Sequence, residues 1–392
     1  MPQSLPSILM IMLCMRCRLG GAEKRYARVF EMLVAHPGAP HKLLINRSML
    51  DLLQAAGILT HHDPFLIVLA PPFRRYLPSR WPAWMVRVLR PLAWLLDALW
   101  YTWQCEQTIR RVQPMIVHPL LTGMYLSLPA LLLHPRIRHV MSAYTAQYYR
   151  DKRILGVGLG ATLKRLAMRR CQIVDALSDS IRADLISRGV DDTKIRVAPC
   201  SFTDLSLCPD VPQKEKWVVF LARFVEHKNP LLLARAIPQI VSQISDAHFF
   251  FLGRGPLQSA LETLVRDLGV ADYVTIRFEP HPAQILGRSS VFVSLQDREN
   301  YPSQSLLEAM ICGNAIVATD VGETWRLVDE ANGFRIPPAV DDVVNAIVML
   351  LNNPQLAQLG LASRQCVLTQ YTPERFFTYM TNVYRTAITR SN

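Results

Sequence analysis

Acidic residues are scarce in the first half of this sequence, where residues 1–205 carry 27 Lys/Arg against 13 Asp/Glu, whereas residues 206–392 carry 16 against 18. The formal charge of +12 therefore resides in the first half, which is expected to meet an anionic surface or substrate: membrane lipid, lipid diphosphate or nucleic acid. Also missing is a charge-free apolar run long enough to span a bilayer. The nearest candidate, 86–103, contains Arg87, Arg90, Pro91 and Asp97, each costly at mid-bilayer, and so is expected to lie on a membrane rather than cross it. The short apolar run 8–13 has no lysine or arginine before it and no small-residue cleavage site before Arg16, which favours a buried strand over a secretory leader. The eight cysteines are scattered and only Cys14 and Cys17 stand close. Without a second pair they supply neither a disulfide framework nor a zinc site, and a cytoplasmic setting is expected. Repeats and low-complexity tracts are absent.

What is present is a chain of 392 residues, 50% apolar and 19% charged, which describes an ordered protein too long for one hydrophobic core. Apolar runs at 8–15, 41–46, 115–118, 138–142, 173–178 and 195–198 alternate with helical stretches, the pattern of a parallel sheet wrapped by helices. The segment 205–216 holds two prolines and a charge cluster, after which runs at 217–222, 247–253, 273–278, 291–295 and 315–319 repeat the alternation. Two doubly wound, Rossmann-like α/β domains follow, 1–205 and 217–372, with a linker at 206–216 and one amphipathic helix at 373–392. Residues 72–111 stand apart, with Trp81, Trp84, Trp94, Trp100, Trp103 and seven arginines offset only by Asp97 and Glu106. That composition suits an insert at a bilayer interface, with a helical subdomain or a dimer face as the alternative.

Four motifs carry chemistry. The stretch 297–313, DRENYPSQSLLEAMICG, follows a strand and enters a helix near Gln304 or Ser305, so that backbone N–H groups and the helix dipole point at an anion. Ser303, Gln304 and Ser305 add donors for phosphate or sugar hydroxyls, and Glu308, one turn on, suits a ribose diol. In FLARFVEHKNP, 220–230, Arg223 and Lys228 stand on a loop after a strand, two cations suited to a diphosphate. FLGRGP, 251–256, places Gly253 and Gly255 where a backbone can approach a nucleotide, and LGGAEK, 19–24, offers Gly20 and Gly21 after the first strand.

In this order, with ATDVGE at 318–323, these motifs resemble family-4, retaining glycosyltransferases of the GT-B fold. Weaker agreement comes from 175–204 and from NGFRIPP at 332–338. The resemblance implies two domains facing a cleft, with the last helix crossing back to the first domain. It implies a nucleoside-diphosphate sugar, UDP being the commonest carrier, in the second domain, with Arg223 and Lys228 on its diphosphate and Glu308 on its ribose. Glu299, Tyr301, Ser303, Gln304, Ser305, Gly253, Gly255, Gly20 and Gly21 would line the donor site, Asn300 would join Arg223, Lys228 and Glu308 in catalysis by bonding a sugar hydroxyl, and the basic first domain would hold a glycan or lipid-linked acceptor. No cofactor or metal is implied, and the chain has no Asp-x-Asp pair. The setting would be cell-surface polysaccharide synthesis, peripheral to the cytoplasmic membrane face. Two positions depart from the family: Asn300 stands where a glutamate is usual, and Tyr144 and Thr145 where a histidine is common. His118, at the end of an earlier strand, is the candidate substitute. These departures keep a catalytically impaired scaffold as an alternative; a sugar-nucleotide hydrolase or epimerase of the same fold is another, against which the basic, Trp-rich N-terminal segment argues, and arginines clustered with tryptophan and leucine argue against nucleic acid.

Overall fold

The computed structural model describes residues 5–15, 17, 19–36, 40–59, 64–72, 83–144, 159–206, 214–299 and 301–390. Residues 73–82 of the expected insert, 207–213 of the expected linker, and Asn300 and Thr145 lie outside the described residues. The chain divides into two compact units, the first running to Pro199 and resuming at Phe377, the second running from Cys200 to Phe376.

In chain order the first unit contains β1 (Ile8–Leu13), α1 (Gly21–Ala35), β2 (Lys42–Asn46), α2 (Arg47–Ala55), β3 (Leu66–Leu69), α3 (Ala83–Val112) and β4 (Ile116–Leu121). It continues with α4 (Gly123–Leu126), α5 (Leu128–Leu133), β5 (Arg138–Ala143), α6 (Leu159–Arg170), β6 (Ile173–Ala176), α7 (Asp179–Ser187) and β7 (Ile195–Val197). Its strands are parallel and ordered β3-β2-β1-β4-β5-β6-β7. Every residue of β1 is buried, as expected of a strand covered by helices on both faces.

The second unit contains β8 (Glu215–Leu221), α8 (Pro230–Val241), β9 (His248–Leu252), α9 (Gln258–Asp267), β10 (Val274–Arg277), α10 (Ala283–Arg288) and β11 (Ser289–Ser294). There follow α11 (Gln304–Ile311), β12 (Ala315–Thr319), β13 (Gly333–Ile336), α12 (Val340–Leu351) and α13 (Leu356–Gln370). The parallel order is β10-β9-β8-β11-β12-β13. Alternate residues feed opposite faces: Phe249 and Phe251 enter the core that includes Leu233, Ile237 and Ile347, while Phe250 and Phe292 enter the one that includes Leu306, Leu307 and Val367. Helix α14 (Pro373–Thr389) ends the chain as one helix.

The picture of 72–111 as an appended insert needs correction. Helix α3 is the crossover between β3 and β4, and it buries Ala93, Asp97, Tyr101, Cys105, Thr108 and Ile109 along one side. Tyr101, Cys105 and Ile109 join a core with Leu9, Ile11 and Val117, against which Trp94 and Trp100 also pack. The helical period of those buried residues makes α3 an integral layer of the first sheet.

Candidate functional site

In the second sheet β9 and β11 lie on opposite sides of β8, so the winding reverses between β8 and β11. Helices leave the sheet in opposite directions there, opening a crevice at the carboxyl ends of the two strands. The loops entering it are 222–229 and 295–303, which carry the two strongest motifs.

Three consecutive contacts tie these loops together. The carbonyl of His227 accepts from the Asp297 N–H at 3.2 Å, Lys228 Nζ donates to Gln296 Oε1 at 2.7 Å, and Asn229 Nδ2 donates to the Leu295 carbonyl at 2.8 Å. Asn229 takes a left-handed conformation, φ 52°, before Pro230 opens α8; asparagine tolerates that region and proline suits a first helical position. The result holds Lys228 half-buried while Arg223 remains exposed. Burial pushes the Lys228 ammonium down to about 8, Arg223's charge acts in the same direction, and Asp297 opposes both. His227 is also lowered, by burial and then by the charges of Lys228, Arg298 and Arg223. The loop thus gathers positive potential that an anion would relieve.

Helix α11 begins at Gln304 beside this loop. Ser303, its N-cap, makes no side-chain cap bond; its hydroxyl lies 3.2 Å from that of Ser305. The first-turn N–H groups, which have no partner within a helix, therefore receive no cap from Ser303. Gln304 Nε2 donates to Thr203 Oγ1 at 3.2 Å. Glu308 is half-buried on a helix whose Leu306, Leu307, Ala309, Met310 and Ile311 are all buried, which singles it out as the carboxylate of that face.

Other residues expected on the donor also hold the loop itself. Glu299 accepts from the Tyr301 N–H at 2.7 Å through one oxygen and from the Glu323 N–H at 2.8 Å through the other, joining the loop to the Val321–Gly322–Glu323 turn. Gly322 has φ 55°, and a Cβ there would fall 1.9 Å from Glu299 Oε2. The Tyr301 ring is buried, with its hydroxyl 3.3 Å from that of Tyr371 and the Arg326 guanidinium 5.4 Å from its centroid. Gly253 and Gly255 also have a structural cause: added Cβ atoms would fall 2.0 Å from the Ala222 carbonyl and 2.3 Å from the Phe224 carbonyl. Their absence lets the loops after β8 and β9 pack against each other.

The first sheet reverses between β1 and β4. Gly20 precedes α1 at that place, where a Cβ would meet Glu23 Oε2 at 2.9 Å. The Glu23 carboxyl is raised by burial against the opposing bonds it accepts from its own N–H and that of Gly20, so it caps the start of α1. Gly21 is the first residue of that helix.

His118 requires a correction. It is fully buried, with Nδ1 2.8 Å from Tyr384 Oη and Nε2 2.9 Å from Ser142 Oγ. Burial pushes its imidazole down to about 3. Ser142 donates to Asp175 at 2.8 Å, and Tyr379 donates to the other Asp175 oxygen at 2.6 Å. Tyr26 donates to the His118 carbonyl. His118 is thus one link of an interior chain that binds α14 to the first sheet, with both ring nitrogens engaged, and not an exposed acid or base. Tyr144, at the other departure from the family, is also buried, beneath Arg25 at 5.3 Å.

The structure brings together Arg223, Lys228, Ser303, Gln304, Ser305 and Glu308 through loops or a helix at one switch point, and sets Gly20, Gly21 and His118 in the other unit. Sequence reading missed Gln296 and Asn229, which hold Lys228's loop. Their signal was polarity beside a buried strand end and an Asn-Pro helix start.

Two family profiles match the chain: one described as glycosyl transferases group 1 over residues 215–353, the other as glycosyltransferase family 4 over residues 45–202. A phosphatidyl-myo-inositol mannosyltransferase of Mycolicibacterium smegmatis is 27% identical over 197 residues, 48% of this chain and 47% of that protein. The GalNAc-alpha-(1->4)-GalNAc-alpha-(1->3)-diNAcBac-PP-undecaprenol alpha-1,4-N-acetyl-D-galactosaminyltransferase of Campylobacter jejuni is 28% identical over 109 residues, 28% of this chain and 30% of that protein. The alignments thus span less than half the length of these curated relatives. Anabaena HepE, solved with UDP and glucose, superposes with a TM-score of 0.74 at 16% identity, covering 97% of this chain and 100% of that one, and shows the GT-B fold.

Proposed function

The chain belongs to the group 1, family-4 glycosyltransferases, and from that premise we propose that it moves a sugar from a nucleoside diphosphate to a hydroxyl of a glycan or lipid-linked acceptor, with retention of configuration. The observation that carries this reading is the pinning of residues 227–229 to 295–297, which sets Lys228 and Arg223 beside a helix start that Ser303 leaves uncapped. That is a seat for a diphosphate made of fixed charge and backbone dipole. Glu308 receives the ribose diol. UDP is the preferred carrier, supported by the UDP in the HepE structure.

In the reaction the bond from the anomeric carbon to the diphosphate breaks as the acceptor oxygen bonds the same face of that carbon. The acceptor's proton passes to a departing phosphate oxygen. Arg223, Lys228 and the α11 N-terminus stabilise the charge that develops, so the transfer proceeds without a metal. Lipid-bearing substrate names among the relatives support a lipid-linked acceptor, held by the first unit. The seven free cysteines among the described residues accord with the cytoplasmic face, where surface polysaccharide would be assembled.

The test incubates the full chain with radiolabelled UDP- and GDP-sugars and a bacterial lipid extract in EDTA. Label entering the lipid or glycan fraction, lost in Glu308→Gln, supports transfer. Label released as free sugar would assign a hydrolase, and nucleotide binding with no product a scaffold.

A further inference from the structure

Cys14 and Cys17 meet where β1 ends. Cys14 is buried, Cys17 is half-buried, and neither belongs to a disulfide. Asn46, itself buried at the end of the neighbouring strand β2, holds the place. Its Oδ1 accepts from the Cys14 N–H at 3.1 Å, and its Nδ2 donates to the Cys17 sulfur at 3.0 Å. The Cys14 thiol is raised, first by its bond to Cys17, then by burial and by the charges of Cys17 and Glu23, so it keeps its proton and directs its S–H at the Cys17 sulfur. In the thiol form Cys17 donates to the Cys14 carbonyl at 3.6 Å. The sulfur nearer solvent thus receives two donors, an S–H and an amide N–H, which stabilise negative charge on it. Cys105, Cys171, Cys200, Cys312 and Cys366 stand singly along the chain.

We propose that Cys14 and Cys17 are a site of reversible oxidation by peroxide, with Cys17 as the attacking sulfur and Cys14 as the one that closes a disulfide on it. Two residues between the cysteines, at a strand end and ahead of a helix, is a spacing at which such a pair can close. The Cys17 thiolate attacks one oxygen of hydrogen peroxide, the O–O bond breaks, and the departing oxygen takes up the proton that Cys17 gave up and leaves as water. Cys17 is then a sulfenic acid. The Cys14 sulfur attacks the Cys17 sulfur, its proton passes to the departing hydroxyl, and a second water leaves as the S–S bond forms. Two thiols are oxidised and one peroxide is reduced to two waters; a dithiol reductant reverses the bond by exchange. Asn46 is the positioning residue of this chemistry, since it fixes the Cys14 backbone and aims its amide at Cys17. The inference is independent of the donor site, which lies in the second unit.

The reduced full chain is treated with hydrogen peroxide, its remaining thiols are alkylated, and it is cleaved after glutamate. Both cysteines then lie on the fragment ending at Glu23, which should lose two hydrogens under peroxide and regain them with dithiothreitol. Cys14→Ser should stall at the sulfenic acid, trapped by dimedone on Cys17, whereas Cys17→Ser should leave Cys14 unlabelled. Asn46→Ala should slow oxidation roughly tenfold, and Cys366→Ser should oxidise as the native chain does. Thermal unfolding confirms that each variant is folded. A native fragment that keeps both thiols overturns the proposal. So does a disulfide from either residue to a different cysteine, or dimedone labelling of Cys14 in Cys17→Ser as fast as that of Cys17 in Cys14→Ser. Nucleotide binding measured on the same samples separates this failure from failure of the donor site.

Discussion

The two sheets reverse their winding in the same way, between β1 and β4 in one unit and between β8 and β11 in the other, yet they treat polar groups near those strands oppositely. In the first, His118, Ser142, Asp175 and Tyr379 satisfy one another in the interior. In the second, Lys228 is half-buried with its ammonium on Gln296, Arg223 is exposed, and Ser303 gives the start of α11 no side-chain cap. One topology can therefore supply a rigid frame or a ligand seat, and the difference is whether its polar groups are enclosed in the interior or left at the surface.

Acidification should produce the largest contrast. His118 and His139, both buried, are each pushed down to about 3, below the unfolded value of about 6.5. Below that value the unfolded chain binds more protons, so stability is full near pH 7 and falls as pH drops; two such groups cost about 4 kcal/mol at pH 5. Chemical denaturation at pH 7 and pH 5, followed by hydrogen exchange, should show the first unit losing the greater share. Asp175→Ala should cost about 3 kcal/mol, since it strips Ser142 and Tyr379 of a buried acceptor, while nucleotide affinity of the folded protein stays unchanged. Gly322→Ala, in the Glu299 clamp, should cost about 2 kcal/mol through its positive φ and the collision with the carboxylate. Donor affinity should also fall as pH rises through about 8, where Lys228 loses its proton, by roughly tenfold between pH 7 and pH 9. A titration calorimetry series across that range checks it, and Lys228→Arg should flatten the profile.

Legibility in the sequence was greatest for the central strands of each sheet. The central strands β1, β4, β8, β9 and β11 announce themselves because they are continuous apolar runs. β3, although 65–70 (FLIVLA) is a continuous apolar run, and β13, with its exposed Arg335, were missed as strands; both sit at sheet edges, as do β7 and β10, which were read at 195–198 and 273–278. In the candidate site, motif spacing put Lys228 after β8 and Ser303 and Glu308 after β11, the two strands between which the sheet reverses. What spacing could not reveal was that Glu299 faces two backbone N–H groups, that Gly253 and Gly255 make room for neighbouring carbonyls, or that His118 is an interior link. Those roles depend on contacts between residues distant in the chain. The reading of 72–111 as an appended insert needed correction for a related reason: composition reported tryptophan and arginine, while the period of Ala93, Asp97, Tyr101 and Cys105 placed the described helix in the sheet's own layer.

The most direct test of the seat between β8 and β11 is calorimetric titration of UDP and GDP, in EDTA at pH 7, into the native chain and Lys228→Ala. The account predicts that one nucleotide binds the native chain, and that Lys228→Ala weakens it about ten- to a hundredfold with little change in thermal stability. Binding of neither nucleotide, or equal affinity in the two proteins, would contradict it.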